Sequence, residues 1–139
     1  MRTAEEQIEE LNLEVRCHIK PSNIAGIGVF ALRDIRKGER LYCFPRTSRA
    51  WYDLTYSQLD KLRPEIREII LQRWPAIING SHFQSPNDDV WLCSFINHSD
   101  SPNYLQSSDS ALRDIPAKTE ITESYRVMLN AEKIYDFLK

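Results

Sequence analysis

The sequence predicts a mostly β fold that is interrupted by a helical insert, and three observations support this prediction. Residues 13–20 alternate apolar and polar side chains, with the period of two that is typical of a half-buried strand. Two short apolar runs, 26–31 and 90–96, lie between turn-forming residues and indicate further strands. Between these runs, apolar residues within 55–74 recur at spacings of three and four, which indicates helix.

The first third of the chain is predicted to form a helix and then three strands. Thr3 precedes Glu6 by three residues, the pattern of a capping box, so a helix is expected over 4–11 within an N-terminal helical unit, 1–12. The elements expected after it are a strand over 13–20, a turn over 21–23, a strand over 26–31, a turn around Gly38 and a returning strand over 40–44.

The middle of the chain is predicted to be a helical insert, 50–80. Pro64 is expected in the first turn of the second of two helices, and Pro75 is expected to end it. The elements expected after the insert are a turn over 85–89, a strand over 90–96, a polar loop over 97–103, a short strand over 104–106 and a C-terminal helical segment over 126–139.

Composition and charge are typical of a single globular domain over residues 1–139. The formal net charge is −2, which argues against direct nucleic-acid binding, because such binding usually requires a basic face. No apolar run reaches the ~18 residues of a membrane span, and the acidic N-terminus does not resemble a signal peptide. The three cysteines are far apart, so neither a zinc site nor a disulfide framework is indicated. The expected location is the cytoplasm, or the nucleus if the organism is eukaryotic.

The five letters ALRDI occur twice, at 31–35 and at 111–115. A duplicated domain, a coincidence, or two structural units under the same local demand could explain the repeat. The sequence around the two copies does not otherwise repeat, which argues against duplication. Two similar corners, each between strands, are the better explanation.

The polar stretch 95–104 is the least ordinary segment, because an apolar run ends abruptly in Asn97 and His98. Taken alone, a polar loop is the commoner explanation of such a stretch. His98 has no second histidine at a spacing that suggests a metal site. Gly26-Ile27-Gly28 lacks the third glycine of a dinucleotide-binding fingerprint, and Tyr125 alone would be taken for a core or rim residue.

In order and combination, however, these segments resemble the SET-domain family of protein-lysine methyltransferases. The segments that carry the resemblance are AGIGVFALRDIRKGE (25–39), FINHSDSPN (95–103) and ALRDIPAKTEITESY (111–125). The family has a GxG strand, a helical insert, an NHSCxPN segment and an "rdIpaGEELTxDY" segment, in the same order. The resemblance covers about 13–128, and the two ALRDI copies fall at the two "rdI" corners of the family.

The resemblance implies the SET-domain (β-clip) fold, with small sheets and a C-terminal pseudoknot. It also implies S-adenosyl-L-methionine as the cofactor, with no metal, and a protein-lysine N-methyltransferase activity. The matching positions are Ala25, Gly26, Ile27, Gly28, Asn97 and His98 for the cofactor, Tyr125 as the catalytic tyrosine, and Phe44 and Phe95 for the substrate channel.

Elementary chemistry agrees with this assignment. Methyl transfer requires a neutral lysine amine, although the ordinary pKa of lysine is ~10.4. A narrow apolar channel and a nearby sulfonium charge both disfavour the ammonium form. The Tyr125 hydroxyl would orient the transferring methyl rather than act as a base, because a phenol of pKa ~10 is mostly protonated at neutral pH.

The sequence departs from the family pattern at several positions. Asp100 stands where the family usually has cysteine, and Glu123-Ser124 replaces the usual aromatic-Asp pair before Tyr125. Lys118-Thr119 replaces Gly-Glu, and no cysteine-rich segment of the kind that completes the channel in many members follows Tyr125. Tyr135 and Phe137 are therefore expected to form a lid over the cofactor, or a second subunit would supply that wall.

The expected partner is a protein substrate with a target lysine, with histone-like proteins among the candidates. A homo-oligomer is an open alternative, and neither a membrane nor a nucleic acid is expected as a partner. Two other functions stay open at this point. One is a catalytically weak SET-like module that binds the cofactor or a peptide, and the other is a structural β-rich domain that shares only the fold.

Overall fold

The computed structural model of the chain describes residues 2–44, 51–73, 82–89, 91–127 and 131–138. The α-helices in these ranges are α1 (Ala4–Glu14), α2 (Pro64–Arg73), α3 (Pro86–Asp89) and α4 (Ala131–Ile134). The strands are β1 (Cys17–Pro21), β2 (Ile27–Ala31), β3 (Trp51–Asp53), β4 (His82–Gln84), β5 (Asn97–His98), β6 (Tyr104–Leu105), β7 (Ser110–Ala111) and β8 (Glu120–Glu123). Short 3-10 helices span Gln58–Lys61, Leu92–Phe95, Gln106–Ser108, Tyr125–Val127 and Asp136–Leu138.

The largest sheet brings together segments that are far apart in the chain. Its strand order is β1-β2-β8-β5, so β8 lies between β2 and β5. The first three strands are antiparallel neighbours, whereas β5 runs parallel to β8 and places Asn97 opposite Thr122 and His98 opposite Glu123. The strand order therefore sets residues 97–98 beside the strand that ends just before Tyr125. Two smaller sheets pair β3 with β4 and β6 with β7.

The two ALRDI copies, 31–35 and 111–115, pair with each other. The Ile35 amide donates to the Ile115 carbonyl at 2.8 Å, and the Ile115 amide donates back to the Ile35 carbonyl at 2.7 Å. Both isoleucine side chains are buried. The two corners therefore meet the same structural requirement, because each one pairs with the other.

The aspartates of the two copies repeat this exchange. One oxygen of Asp34 accepts a hydrogen bond from the Ala117 amide at 2.8 Å. One oxygen of Asp114 accepts from the Lys37 amide, also at 2.8 Å. Since both residues of each pair are shifted by the same 80 positions, the two bonds are equivalent under a local twofold relation. The repeated letters thus encode a matched pair of corners at one end of the large sheet.

The buried apolar side chains form two clusters. The first cluster lies around the large sheet and the paired corners, and includes Val29, Ile35, Leu41, Ile96, Tyr104, Ile115 and Ile121. The second cluster joins α1 to the insert, and includes Ile8, Leu11, Tyr52, Leu59, Ile66, Ile70 and Phe83. The N-terminal helix therefore packs on the insert, and the functional residues predicted from the sequence lie around the first cluster.

Thr3 caps α1 as predicted, since its hydroxyl accepts from the Glu6 amide, but the helix is longer than expected. It continues to Glu14 because Ile8, Leu11 and Val15 keep helical spacing and are buried, and β1 begins only at Cys17. The second helix of the insert starts at Pro64, as predicted. The predicted end at Pro75 lies outside the described residues.

Two predicted strands are wrong. Within 90–96 the described residues form a 3-10 helix, Leu92–Phe95. Leu92 and Ile96 are buried four residues apart while Phe95 is partly exposed, a helical pattern that a mostly apolar run conceals. Over 40–44 the chain contributes an isolated bridge at Arg40 rather than a strand. No helix in the described ranges has the length and apolarity that crossing a membrane requires.

Candidate active site

The exposed turn before β2 is tied to β5 by one amide group. The Asn97 Nδ2 atom lies 3.2 Å from the Ala25 carbonyl oxygen, 3.1 Å from the Ile27 carbonyl oxygen, 3.2 Å from the Ser22 hydroxyl oxygen and 2.9 Å from Glu120 Oε2. All four neighbours can accept hydrogen bonds, so the nitrogen faces the turn and the carboxamide oxygen Oδ1 faces away from it. No donor among the described residues is seen to bind Asn97 Oδ1.

Glu120 holds the same turn from β8. Its carboxylate lies 2.7 and 2.9 Å from the Ser22 hydroxyl, which also accepts from the Ile24 amide at 3.0 Å. A Cβ at Gly28 would lie only 2.4 Å from Glu120 Oε2, so a side chain at Gly28 would displace the carboxylate. Gly26 has φ +43°, a left-handed conformation that favours glycine. Each glycine of the GxG motif therefore has its own structural reason.

His98 connects β5 to the segment that carries Tyr125. Its Nδ1 accepts the Tyr125 backbone N–H at 3.0 Å, so Nδ1 carries no proton. Its Nε2 lies 3.1 Å from Asp100 Oδ1 and donates to it. The His98 and Tyr125 ring centroids are 5.3 Å apart. The histidine ring is therefore fixed at both nitrogens and packs against the tyrosine.

The Tyr125 hydroxyl donates to the Ile96 carbonyl oxygen at 2.6 Å. It lies in the wall of a cavity of about 350 Å³, within the ~300–1,000 Å³ usual for ligand sites. Burial, and then the neighbouring Glu123 and Tyr135, raise the pKa of Tyr125 above its ordinary value of 10. Tyr125 therefore presents a protonated phenol at neutral pH. Besides Tyr125, the cavity wall includes Phe44, Trp91, Ile96, Glu123 and Tyr135.

Rings of the C-terminal segment cover Tyr125 and His98. The Tyr125 centroid lies 5.1 Å from that of Tyr135 and 6.2 Å from that of Phe137, and the His98 centroid lies 5.6 Å from that of Phe137. These spacings are typical of favourable aromatic pairs. The predicted lid residues are therefore next to the predicted cofactor and catalytic residues.

Arg126 attaches this segment to the body of the domain. Its Nε donates to Asp100 Oδ1 at 2.9 Å, and its guanidinium donates to the Leu138 carbonyl at 2.9 Å. The hydrogen bonds from Arg126 and then from His98 lower the pKa of Asp100, which is fully exposed. Asp100, at the family's usual cysteine position, thus links His98 to the C-terminal segment through Arg126.

The structure brings most of the predicted site residues together. Residues 25–28 lie against Asn97, and Phe44 lines the cavity that contains Tyr125. Phe95 is 36% exposed and is not among the described residues of that cavity wall. The roles of all these residues stay predictions.

Sequence reasoning missed Ser22, Glu120 and Trp91, and identified Glu123 as a departure from the family. Glu120 could have been found, because it matches the second glutamate of the family's GEEL segment. Ser22 and Trp91 carry no such signal, since their positions depend on a turn and on a 3-10 helix.

One known protein family matches most of the chain. The sequence model described as "SET domain" matches residues 26–126. The fold is similar to the crystal structure of a candidate histone methyltransferase of Plasmodium falciparum, with 20% sequence identity and a TM-score of 0.41. That alignment covers 81% of this chain and 95% of the other. No curated protein sequence matches the chain.

Proposed function

The chain belongs to the SET-domain family, and we propose that it is an S-adenosylmethionine-dependent protein-lysine N-methyltransferase. The single observation that carries the proposal is the arrangement of residues 96 and 97. The carbonyl of Ile96 binds the Tyr125 hydroxyl in the cavity, while the next side chain, Asn97, binds the exposed turn 22–27. One short segment therefore separates a surface suited to a cofactor from a cavity suited to a side chain.

The residues of the turn fit the polar end of the proposed cofactor. Asn97 Oδ1 faces away from its four acceptor neighbours and can accept a hydrogen bond from an ammonium group. Ile24, Ala25, Gly26 and Ile27 are exposed, so backbone groups are accessible beside it. Phe137 and His98 offer ring faces for the purine. When bound, S-adenosylmethionine supplies a methyl group on a positively charged sulfur, which an amine can attack.

The cavity would prepare the substrate lysine. Its wall includes apolar and aromatic side chains such as Ile96, Phe44 and Trp91, whose desolvation of a bound lysine lowers the pKa of the amine toward the neutral form that methyl transfer requires. The Tyr125 phenol, held by its bond to Ile96, would direct its oxygen and that carbonyl oxygen toward the reacting amine. Most of the acceleration would come from such positioning and from the exclusion of water.

Turnover is the direct test of this proposal. The protein is incubated with radiolabelled S-adenosylmethionine and a mixture of lysine-containing proteins, including histones, and mass spectrometry locates the methylated lysines. We expect Tyr125→Phe to lose about 100-fold in rate, since loss of the hydroxyl misplaces the reacting groups. A wild-type protein that labels no lysine would contradict the proposal.

A second candidate function is a weak module that binds the cofactor or a peptide. The observation that favours it is Glu123, which stands where the family usually has an aromatic residue. Calorimetry separates the two, because a binding module would bind S-adenosylmethionine without turnover. In either case Asn97→Ala should weaken cofactor binding, and unchanged affinity would count against both.

A further inference from the structure

Glu123 is a buried carboxyl group, and one of its oxygens has no hydrogen-bond partner in the part of the chain that the structure describes. It ends β8 directly before the 3-10 helix of Tyr125, and it is 7% exposed. Its Oε2 atom is buried and has no hydrogen-bond partner among the described residues. Buried carboxyl groups in proteins are nearly always paired, because removing one from water is costly. An unpaired carboxyl in this position therefore indicates a ligand.

The surroundings of Glu123 define the charge of that ligand. In the described part of the cavity wall Glu123 is the only carboxyl group, and none of the residues is basic. Phe44, Trp91 and Tyr135 contribute aromatic rings to the same wall, and such rings attract cations through their faces. A carboxyl group among aromatic rings is complementary to an alkylammonium ion.

We infer that Glu123 receives the substrate lysine as an ammonium ion and accepts its proton, which makes the amine nucleophilic within the cavity shared with Tyr125. This inference deepens the proposed methyltransferase function and rests on it. It assigns a base to a reaction for which the phenol of Tyr125 is unsuited.

The steps balance as follows. One N–H bond of the lysine ammonium breaks and an O–H bond forms on Glu123. The lone pair of the neutral amine then forms a bond to the methyl carbon of the sulfonium donor, and the pair of the breaking C–S bond stays on sulfur. The products are a methylated ammonium and a neutral thioether. The proton on Glu123 passes to water when the product leaves.

Two physical arguments favour this transfer. Burial raises the pKa of Glu123 from its ordinary value of 4.5 to about 7, so the carboxylate is a stronger base than usual. The same desolvation lowers the pKa of a bound lysine ammonium, so the pKa values of the lysine and of Glu123 come closer together. Transfer converts two ions into a neutral acid and a neutral amine, which burial favours, while the attraction between the two ions opposes it.

The other titratable groups near Glu123 are less suited to accept a proton. Burial raises the pKa of the Cys93 thiol and of the Tyr125 phenol, so both stay protonated near neutral pH. Tyr135 is a further phenol of the wall. His98, across from Glu123 on β5, directs its two nitrogens to the Tyr125 amide and to Asp100.

The first test measures the pH dependence of methyl transfer for wild type, Glu123→Gln and Glu123→Asp. Wild-type kcat/KM should rise with pH through about 7. Glu123→Gln should lose about 100-fold or more at pH 7 and recover part of that loss at high pH, where solvent deprotonates lysine. Glu123→Asp should restore part of the activity, and Glu5→Gln on α1 is the matched control. Wild-type rates and an unchanged pH profile in Glu123→Gln would overturn the inference while leaving the methyltransferase function intact.

The second test does not depend on turnover. Carbon-13 NMR of the Glu123 carboxyl, assigned by its loss in Glu123→Gln, gives its titration in the full chain. We expect the midpoint of the Glu123 titration to lie near pH 7 and to fall by one pH unit or more on addition of Nα-acetyl-lysine amide, whose side-chain amine is free. Nα-acetyl-norleucine amide, which lacks that amine, should cause no fall. An ordinary midpoint near 4.5, or equal responses to the two probes, would overturn the inference. If wild type transfers no methyl group but responds to the lysine probe alone, the proposed function and the transfer step fall, while recognition of the amine stands.

Discussion

At the scale of single residues, the positions of Gly28, Glu120 and Asn97 depend on one another. Glu120 requires the empty space at Gly28, and Asn97 requires Glu120 as one of its acceptors. A substitution at any of the three would therefore move the turn that the other two hold. Glu123 differs from them, because its carboxyl has no such neighbour among the described residues.

The burial of Glu123 predicts a pH-dependent cost in stability. Its pKa is raised to about 7 from 4.5, so the folded protein holds the proton more tightly than the unfolded chain. The stability that this proton provides is fully present below pH 4.5 and is lost as the pH rises through about 7. A shift of about 2.5 pKa units corresponds to about 3 kcal/mol.

Glu123→Gln should remove this loss, since the glutamine has nearly the same shape and no charge. Thermal or urea unfolding should therefore show the variant gaining up to about 3 kcal/mol over wild type at pH 8 and little at pH 4. A stability difference that does not change between these two pH values would contradict the buried, ionisable state of this carboxyl.

At the scale of elements, the paired corners offer two equivalent positions with different residues. Gly38 has φ +86° and Lys118, 80 positions later, has φ +69°. The Gly38 amide donates to the Ala111 carbonyl and the Lys118 amide donates to the Ala31 carbonyl, so the two backbone positions make equivalent hydrogen bonds. Only one of the two positions has the residue that tolerates this conformation without strain.

Lys118→Gly should therefore stabilise the protein by roughly 0.5–1 kcal/mol, the relief of left-handed strain less the entropy gained by the unfolded chain. Gly38→Ala should destabilise it by a similar amount, roughly 0.5–1 kcal/mol, since the strain is partly offset by the lower entropy of the unfolded chain. A Cβ at Gly38 would meet nothing within 4 Å, so the effect is conformational rather than steric. Urea unfolding of both variants gives the comparison, and effects of the same sign would refute it.

The C-terminal segment is a second element with a testable role. Phe137 is 61% exposed and contacts the His98 and Tyr125 rings, and Ile134 in the same segment has a similar exposure of 64%. If Phe137 is part of a lid, Phe137→Ala should weaken S-adenosylmethionine binding by about tenfold, since an aromatic pair contributes roughly 0.5–1.5 kcal/mol.

Calorimetry of Phe137→Ala beside Ile134→Ala measures this effect at matched exposure. The control should bind like wild type. The attachment through Arg126 is exposed and contributes little alone, so the ring contacts are expected to carry the effect. Equal affinities for the two variants would exclude a lid function for Phe137.

At the scale of the whole molecule, the sequence was informative where local chemistry decides structure. The cap at Thr3, the start of α2 at Pro64 and the SET family itself could be predicted from short patterns. The strand over 90–96 could not be corrected from sequence, because a short and mostly apolar run has no period that separates strand from helix. The pairing of Ile35 with Ile115 depends on contacts 80 residues apart, which no local pattern reveals.

The candidate site could likewise be predicted from the sequence only in part. The positions of Asn97, His98 and Tyr125 followed from the family resemblance, and they lie together in the structure. The unpaired carboxyl of Glu123 could not be predicted, because burial at that position depends on how the neighbouring wall folds. Substitution of an aromatic residue by a carboxyl was visible in the sequence, but its environment was not.

The two buried clusters predict that stability and function can be separated. Leu11 on α1 and Ile121 on β8 are both fully buried, one in each cluster. Leu11→Ala and Ile121→Ala should each cost about 2–5 kcal/mol, from lost burial and the cavity left behind. Only Ile121 lies between Glu120 and Thr122, on the strand that pairs with Asn97 and His98.

We therefore expect Leu11→Ala to keep wild-type affinity for S-adenosylmethionine under conditions in which it stays folded, and Ile121→Ala to lose affinity. Hydrogen exchange should show faster opening of α1 and α2 in the first variant, and of β8 in the second. Calorimetry at low temperature, with urea unfolding to verify the folded fraction, makes the comparison. Equal losses of affinity would mean that the two clusters act as one cooperative unit and that the insert and its helix support the site directly.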